Sequence, residues 1–422
     1  MSEDREDVIK VLKAAIGDNH VLIDDHSLEF YSMDVYRSFE IPIAIVQPGN
    51  IDELQETVRI ASGLGVSIVT RGGGASYTDA YLPTDPNSII IDTSRLNKIV
   101  EINEEDMFIT VEPGVTWAEM SAALAEKNLR TPFWGPFSGL KATIGGSTSQ
   151  NSVSMGSGIY GGSPESILCY EVVLANGQMI KTGSSSMENS SHFFRNYGPD
   201  LTGIFSGDAG ALGVKAKITM RLIKLPSHTL TCSFGFKNYN SMSQGMAAVA
   251  REQSISSNWG LDPKLQRGQL GKVTFMDSIR AAFAVLKTAR NPLEAIIQLI
   301  KMALAGKRFL TGFDYSAHFV AEGYSTAEVK SKLAQTRKVV SPFGTEIANT
   351  IPTVMGAMPF MPLYPILGPQ GERWVPMHGL LPFSKMQKMH DRIEELYAEK
   401  KEAMEEHSVE AGTMFVTYST HA

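Results

Sequence analysis

The segment Val66-Ser67-Ile68-Val69-Thr70 runs directly into Arg71-Gly72-Gly73-Gly74-Ala75-Ser76-Tyr77. The first five residues are typical of a buried strand, and the three glycines allow the backbone to approach a ligand closely. Consecutive N–H groups in such a loop form an anion-binding concavity, so the loop predicts a phosphate-bearing ligand. It is not a P-loop, because no Gly-Lys-Ser/Thr follows, and Tyr77 stands where a nicotinamide-binding G-x-G-x-x-G motif needs its third glycine. The alternative interpretation is a tight surface turn.

A second loop of similar composition lies about seventy residues later. It reads Thr143-Ile144-Gly145-Gly146-Ser147-Thr148-Ser149-Gln150-Asn151-Ser152, and four more glycines follow at 156, 158, 161 and 162. Small, hydroxyl-rich residues provide hydrogen-bond donors without filling space. The two loops together therefore predict a large phosphorylated ligand bound between them.

The regular structure around these loops is of the α+β type. Strand patterns alternate with amphipathic helices, as in the helix predicted over 51–64 and the helix 117–127 that Thr116 caps. Asn176-Gly177 between two β runs predicts a hairpin, and the strand 216–225 ends at Pro226. We place a domain boundary there, with a first domain over 1–226 and a second over 227–422.

The second domain is predicted as an antiparallel sheet with helices on one face. Its strands are predicted at 230–236, 312–320, 374–381 and 412–418. Its helices are predicted at 241–254, 326–340 and 384–407, with a basic helical hairpin over 279–310 and a Pro- and Met-rich loop before residue 374.

Composition excludes several classes of protein. The chain has 422 residues, which is enough for two domains. It carries 38 Lys and Arg against 45 Asp and Glu, and this negative net charge disfavours nucleic acid as a partner. Cys169 and Cys232 lie 63 positions apart, without the spacing of a zinc site or a disulfide framework, and a cytoplasmic location is expected. The charged N-terminus does not indicate a signal peptide. Charged residues interrupt the apolar segment 279–310 too often for a membrane span. Contact of this basic segment with an anionic membrane surface stays open.

The order of motifs resembles the vanillyl-alcohol oxidase and p-cresol methylhydroxylase superfamily, and the glycolate oxidase and D-lactate dehydrogenase branch shares most of it. The resemblance covers roughly 41–226. It rests on Pro48 with the helix 51–64, on both loops above, and on the segments 111–115, 171–177 and 203–213, which read VEPGV, EVVLANG and GIFSGDAGALG.

The resemblance implies an FAD-binding domain of two α+β subdomains, followed by a cap domain for the substrate. FAD would accept a hydride at N5 from the substrate. The residues expected to bind it are Arg71, Gly72, Gly73, Gly74, Ala75, Ser76, Tyr77, Pro113, Gly114, Val115, Thr143, Gly145, Gly146, Ser147, Gln150, Asn151, Ser152, Gly161, Gly210, Gly213 and Val214. Relatives with covalent FAD carry a histidine near the position of Ala75, so noncovalent binding is expected.

The resemblance also raises an expectation about the end of the chain. In the superfamily the chain returns from the cap to the FAD domain, whereas this sequence stops at 419–422, just after a strand, and resembles a truncated cap. Two possibilities stay open: a partner chain or a homo-oligomer supplies the return segment, or the segment is absent. The electron acceptor stays open among oxygen, a cytochrome and a quinone.

Two residues are the candidates for catalysis, and no metal is predicted. Tyr77 resembles in position a flavin-site tyrosine that binds a phenolate, the alternative being a packing tyrosine. His378 is a candidate base facing the flavin, the alternative being a structural histidine. Phe133, Trp134 and Phe137 suit an aromatic substrate or hydrophobic packing, and Met355, Met358, Met361 and Met377 suit a ligand lining or core filling.

The leading hypothesis is therefore an FAD-dependent oxidoreductase that oxidises a phenolic, aryl-alcohol or alkylphenol substrate. One alternative is oxidation of a 2-hydroxy acid, whose carboxylate Arg373 could bind. The other is a noncatalytic flavin-binding subunit of a larger complex.

Overall fold

The computed structural model describes residues 3–266, 312–357, 359–361 and 375–418. These residues divide into two units. The first contains the chain up to Val153, then Gly162–Leu225 and the described residues of 360–377. The second contains Ser154–Gly161, Pro226–Pro359 and the chain from His378 onward, again over the described residues. As functional domains, 1–226 and 227–422 stay a prediction.

Two sheets organise the first unit. The strands among its described residues are, in chain order, β1 Val21–Leu22, β2 Ala44–Val46, β3 Ser67–Arg71, β4 Ser88–Asp92, β5 Ile99–Asn103, β6 Phe108–Val111, β7 Leu129–Arg130, β8 Ile167–Val173, β9 Met179–Lys181, β10 Val214–Arg221 and β11 Ile223–Lys224. The first sheet has the order β1-β2-β4-β3, and β2 and β3 run parallel to β4. The second is antiparallel with the order β5-β6-β10-β8-β9, while β7 pairs with β11.

Each sheet has its own hydrophobic core. The helices Glu3–Ile16 and Ile51–Gly63 pack on the first sheet, where Leu12 and Leu54 are fully buried. The helix Trp117–Ala125 packs on the second sheet, with Trp117 in its core. The first core also includes Val173, Val214 and Ala216 of the second sheet. The two sheets with their helices correspond to the two α+β subdomains that the sequence predicts.

Local signals in this unit were predicted correctly. Thr116 caps the helix Trp117–Ala125 through a complete capping box with Glu119. The Asn-Gly hairpin is formed, since Val173 pairs with Met179 and Gly177 has a φ of 78°. The shorter helices of the first unit are Asp25–Tyr31, Ile144–Ser149 and Leu201–Ile204, with 3₁₀ turns at Asp18–His20, Thr93–Arg95, Ser163–Ser166 and Gly183–Ser186.

The second unit is built on an antiparallel sheet, as predicted. Its strands are β12 His228–Phe236, β13 Ser257–Leu261, β14 Tyr315–Gly323, β15 Thr345–Ile347 and β16 Met414–Val416, in the order β15-β12-β14-β13-β16. Its helices are Ser157–Tyr160, Tyr239–Arg251, Thr326–Val340, Thr350–Ala357, Phe383–Glu399 and Lys401–Glu406. Side chains from Tyr239–Arg251 and Thr326–Val340 share one core with β12 and β14.

Several predictions for the second unit were wrong. The strands Ser257–Leu261 and Thr345–Ile347 were missed, and part of the Pro- and Met-rich loop is the helix Thr350–Ala357. The segment 375–381 contains no strand, and the helix predicted over 384–407 is divided at Lys400. The basic hairpin 279–310 lies outside the described residues. Among the described helices, none combines the length and the hydropathy needed to cross a membrane.

Candidate functional site

The first glycine loop leaves the end of β3 and lies against the second loop. A Cβ on Gly72 would stand 2.3 Å from the Thr143 hydroxyl oxygen, and one on Gly73 would stand 1.6 Å from the Lys141 carbonyl oxygen. Gly74 has a φ of 61°, the left-handed region that favours glycine. These glycines are therefore needed for the two loops to touch, in addition to any approach of a ligand.

The backbone N–H groups of this first loop are unusual. From Gly72 to Ser76, five consecutive N–H groups donate to no acceptor among the residues that the structure describes. Gly73 is exposed and the other four residues are half-buried. Five undonated amides in succession are the geometry of a site for an anion such as a diphosphate.

The second loop uses its amides internally. The segment predicted as a loop is in part the short helix Ile144–Ser149, and Thr143 accepts a hydrogen bond from Gly146 N–H at 3.2 Å. Ile144 N–H donates to the Val115 carbonyl at 2.8 Å, and Gly145 N–H donates to the Pro113 carbonyl at 3.0 Å. The expectation that the amides of Gly145 and Gly146 bind a ligand is therefore not supported by the geometry.

The segment Pro113-Gly114-Val115 joins the same cluster of loops. A Cβ on Gly114 would meet the Thr93 carbonyl oxygen at 2.2 Å, and one on Gly145 would meet Pro113 at 2.7 Å. Val115 is buried in the core of the second subdomain. Its side chain is thus used for packing, and the N–H groups of Gly114 and Val115 donate to the carbonyls of Leu96 and Glu112.

Side chains also link the two loops. Thr78 donates to Gln150 Oε1 at 2.8 Å, and its hydroxyl lies 3.0 Å from that of Ser76. Ser147 accepts a hydrogen bond from Trp117 Nε1 at 2.7 Å and is buried. The Ser147 hydroxyl thus fixes the Trp117 side chain, whereas Gln150 stands at the rim where the loops meet.

A third segment, 207–214, closes onto the second loop. Gly207 N–H donates to the Thr148 carbonyl and Ala209 N–H to the Ser149 carbonyl, both at 2.9 Å. A Cβ on Gly210 would stand 2.3 Å from the hydroxyl oxygen of Thr70, the residue before Arg71. The remaining predicted residues of this neighbourhood are placed as follows: the Asn151 side chain lies against Gly207, Ser152 N–H donates to the Ser147 carbonyl, Gly213 packs on Val172, and Val214 is buried in the core.

Arg71 has a structural role in this geometry. Its guanidinium donates to the carbonyls of Tyr31 and Met33, both at 2.8 Å, and lies 4.7 Å from the centre of the Tyr81 ring. Burial lowers the pKa of Arg71. The Arg71 side chain thus holds the preceding segment through Nη1, and its contact with a cofactor stays a prediction.

The two catalytic candidates belong to different units. Tyr77 is half-buried in the first unit, and burial raises the pKa of its hydroxyl. His378 belongs to the second unit, is exposed, and lies in a non-regular segment rather than on the predicted strand. Gly161 is also in the second unit, with a φ of 78°.

The aromatic and methionine candidates differ in how far their side chains are exposed. Phe133 is fully buried in a core and packs edge-on against Trp117, which supports the packing interpretation for this residue. Trp134 and Phe137 are half-buried, as are Met355 and Met361, whereas Met377 is 89% exposed. Met358 and Arg373 lie outside the described residues.

One pair near the third segment was missed by the sequence analysis. Lys215 Nζ lies 2.6 Å from Asp208 Oδ1, and both side chains are almost completely buried. Burial lowers the pKa of Lys215. No periodic pattern marks two opposite charges seven residues apart across a turn, so only the unusual Gly-Asp-Ala-Gly sequence pointed to this place.

Comparison with known proteins finds a family that covers the first two loops. Residues 42–183 match the family described as an FAD binding domain, a range that holds the first two loops. The chain is 31% identical over 226 residues to the glycolate oxidase subunit GlcD of Bacillus subtilis, covering 53% of this chain and 46% of that protein. It is 30% identical over 235 residues to the mitochondrial cytochrome-linked D-lactate dehydrogenase of Arabidopsis thaliana, covering 54% of this chain and 39% of that protein.

The fold has a counterpart among solved structures. The structure of p-cresol methylhydroxylase with bound substrate superposes with a TM-score of 0.67 at 20% identity, covering 85% of this chain and 70% of that one. The chain spans about half or less of the length of the two sequence relatives. The undonated amides of 72–76 lie within the matched range, and they fit the diphosphate of FAD.

Proposed function

We propose that the chain is an FAD-dependent oxidoreductase acting on a hydroxylated organic substrate, because residues 42–183 match the FAD binding domain family and the fold is similar to that of p-cresol methylhydroxylase. The observation that carries the proposal is the run of five undonated amides at 72–76, held against the second loop by Gly72 and Gly73. Bound FAD supplies the two-electron acceptor for such an oxidation.

In this proposal the first loop binds the diphosphate. Its five N–H groups offer charge-assisted hydrogen bonds, which are about twice as strong as neutral ones. The second loop supports it: Gln150 is bonded to Thr78, and Thr143 contacts Gly72. The segments 113–115 and 210–213 are proposed to complete the FAD site, and Asn151 lies against Gly207.

Tyr77 is the proposed group for the substrate oxygen. Since burial raises its pKa, the hydroxyl stays protonated at neutral pH and donates a hydrogen bond rather than accepting a proton. A phenolic or aryl-alcohol oxygen is the acceptor that we propose. We keep His378 as the proposed base, on the evidence of its residue type alone.

A 2-hydroxy acid is the second candidate substrate class. It is favoured by the names of the two sequence relatives, which act on glycolate and D-lactate. A third alternative is a noncatalytic flavin-binding subunit. The electron acceptor, the partner chain and a cytoplasmic location remain proposals; the two buried, free cysteines are compatible with a reducing compartment.

The test has two stages. The purified chain is expected to be yellow, with the absorbance of bound flavin, and a folded chain that stays colourless after incubation with FAD contradicts the flavoprotein assignment. The bound flavin is then mixed anaerobically with 4-alkylphenols and aryl alcohols, and separately with D-lactate and glycolate. Bleaching by phenolic substrates alone supports the leading proposal, bleaching by the hydroxy acids supports the second, and no bleaching by either supports a noncatalytic subunit.

The matched variant is Tyr77→Phe, which removes only the hydroxyl. We expect unchanged FAD affinity and a phenol bleaching rate at least tenfold lower, because one hydrogen bond to the reacting oxygen is lost. An unchanged bleaching rate means that Tyr77 has no part in binding the substrate.

A further inference from the structure

Asp208 and Lys215 form a buried ion pair beside the glycine loops. The two side chains are 1% and 3% exposed, and their charged atoms lie 2.6 Å apart. A buried pair of this kind carries a large desolvation penalty and is weak evidence of a gain in stability. Its position therefore calls for an explanation other than stability.

The two oxygens of the Asp208 carboxylate differ. Oδ1 accepts hydrogen bonds from Lys215 Nζ at 2.6 Å and from Gly210 N–H at 3.0 Å. Oδ2 is buried and accepts none in the part of the chain that the structure describes. A buried carboxylate oxygen without a donor is costly, so a donor from outside the protein is expected to meet it.

The backbone places this carboxylate where the three segments meet. Gly207 and Ala209, on either side of Asp208, donate to the carbonyls of Thr148 and Ser149. Gly210 packs on Thr70, which precedes the first loop. Gly207, Ala209 and Gly210 have φ values of 70°, 54° and 80°, an arrangement that these contacts hold in place.

We propose that Asp208 Oδ2 is a binding group for the dinucleotide, accepting a hydrogen bond from one of its hydroxyl or N–H groups while Lys215 neutralises the carboxylate. This inference rests on the proposed function. A phosphate oxygen is not the partner, because it is an acceptor with a negative charge. The donors that FAD offers are the ribityl and ribose hydroxyls and the N–H groups of its two ring systems.

Lys215 has a specific part in this arrangement. An uncompensated carboxylate near the diphosphate would repel it across a medium of low dielectric constant. With Lys215 at 2.6 Å, the pair is neutral overall, and the carboxylate can select a donor without weakening the binding of the diphosphate.

The decisive variant is the double substitution Asp208→Asn with Lys215→Met. The Asn oxygen can still accept the Gly210 N–H bond, which puts the NH₂ group where Oδ2 stands and replaces an acceptor by a donor. Lys215→Met removes the ammonium group that would otherwise be buried without its partner. The variant thus keeps the shape of the pair and removes its ability to accept the ligand's hydrogen bond.

The same strand offers a matched control. Lys217 Nζ lies 3.0 Å from Glu171 Oε2, and the Glu171 side chain is 6% exposed. Within the described residues, neither side chain has a hydrogen bond or ion pair with the glycine loops. Glu171→Gln with Lys217→Met neutralises this pair. The control measures what the loss of an ion pair from β10 does to FAD binding by itself.

The measurements are the melting temperature of each apoprotein and its affinity for FAD, ADP and FMN by fluorescence titration. We expect the Asp208→Asn, Lys215→Met variant to be folded and to bind FAD about 10- to 100-fold more weakly, the loss of one charge-assisted hydrogen bond. The control is expected to change the FAD affinity less than about threefold. A parallel loss for ADP identifies a donor on the adenosine side, and a parallel loss for FMN identifies one on the flavin side.

Unchanged FAD affinity in the folded double variant overturns the inference and leaves the proposed function intact, and so does an equal loss in the control. A wild-type chain that binds no FAD overturns both. If the double variant does not fold, Asp208→Glu replaces it, because this keeps the charge and displaces the carboxylate by one methylene. Asp208→Glu with wild-type FAD affinity also overturns the inference, and a tenfold loss supports it.

Discussion

Gly73→Ala is the sharpest test of the loop cluster. Gly73 has an ordinary negative or extended φ, so alanine is compatible with its backbone, and the substitution changes only the space that the residue occupies. The added Cβ would stand 1.6 Å from the Lys141 carbonyl oxygen. Because a carbon–oxygen contact needs about 3.3 Å, the two loops must separate by roughly 1.7 Å at this point.

The magnitude follows from that separation. Overpacking a close contact costs about 1–3 kcal/mol, and we expect the upper end because the clashing atom belongs to the backbone and cannot rotate away. A loss of about 3 kcal/mol lowers the melting temperature by roughly 6–12 °C in a domain of about 200 residues. FAD affinity should fall at least tenfold, since hydrogen bonds to the diphosphate are lost beyond about 3.2 Å.

Gly63→Ala is the matched control. Gly63 ends the helix Ile51–Gly63, and a Cβ there meets nothing within 4 Å. Alanine is the better helix former, so this variant should be unchanged or more stable by up to about 1 kcal/mol, with wild-type FAD affinity. The apoprotein melting curve and an FAD titration measure both effects. A Gly73→Ala variant that melts and binds FAD like the Gly63→Ala variant refutes the argument that the loops touch at Gly73.

Three further predictions concern single side chains. His318 is fully buried between the hydroxyls of Ser233 and Ser316, and burial lowers its pKa to about 3. Between about pH 6.5 and pH 3 the unfolded chain therefore binds a proton that the folded chain does not, so the free energy of unfolding falls as the pH drops through this range. Urea unfolding at several pH values should show this slope in the wild type and lose it in His318→Gln. Thr116→Ala removes an N-cap and should cost about 1 kcal/mol by urea unfolding, whereas Thr116→Ser should not. Tyr81→Phe removes a hydroxyl that donates to the carbonyls of Gly74 and Ser76 in the first loop. FAD affinity should fall by roughly fivefold, the equivalent of one neutral hydrogen bond. An unchanged FAD titration curve means that the loop does not depend on this contact.

Elements with local signals were predictable from sequence. The helix Thr326–Val340 has the predicted bounds because Ser325 caps its first turn and its apolar positions follow the helical period. The Asn176-Gly177 hairpin formed because the turn type requires those residues. The strand Ser257–Leu261 was missed, since its apolar run is short and contains Asn258 and Gly260, which are uncommon in strands.

The candidate site was predictable in its location but not in its details. Two glycine-rich segments, the first of them directly after a strand, indicated a common ligand, and the structure brings Gly72 against Thr143. Sequence offers no sign, however, of which atoms meet across seventy residues. Thus the sequence did not predict that the side chains of Arg71 and Ser147 bond to Tyr31, Met33 and Trp117, and their contact with a ligand stays a prediction.

The two glycine loops have similar compositions and opposite uses. In the second loop, Thr143 and the carbonyls of Pro113 and Val115 take up the first amides, so that loop is internally satisfied and can act as a rigid wall. The first loop is pressed against this wall by Gly72 and Gly73, and its own amides from 72 to 76 find no acceptor in the described part of the chain. Because these amides are exposed or half-buried and have no protein acceptor among the described residues, a bound diphosphate could accept hydrogen bonds from them in the first loop. A variant of the wall should therefore act on FAD binding through the position of the first loop, and Gly73→Ala probes that contact directly.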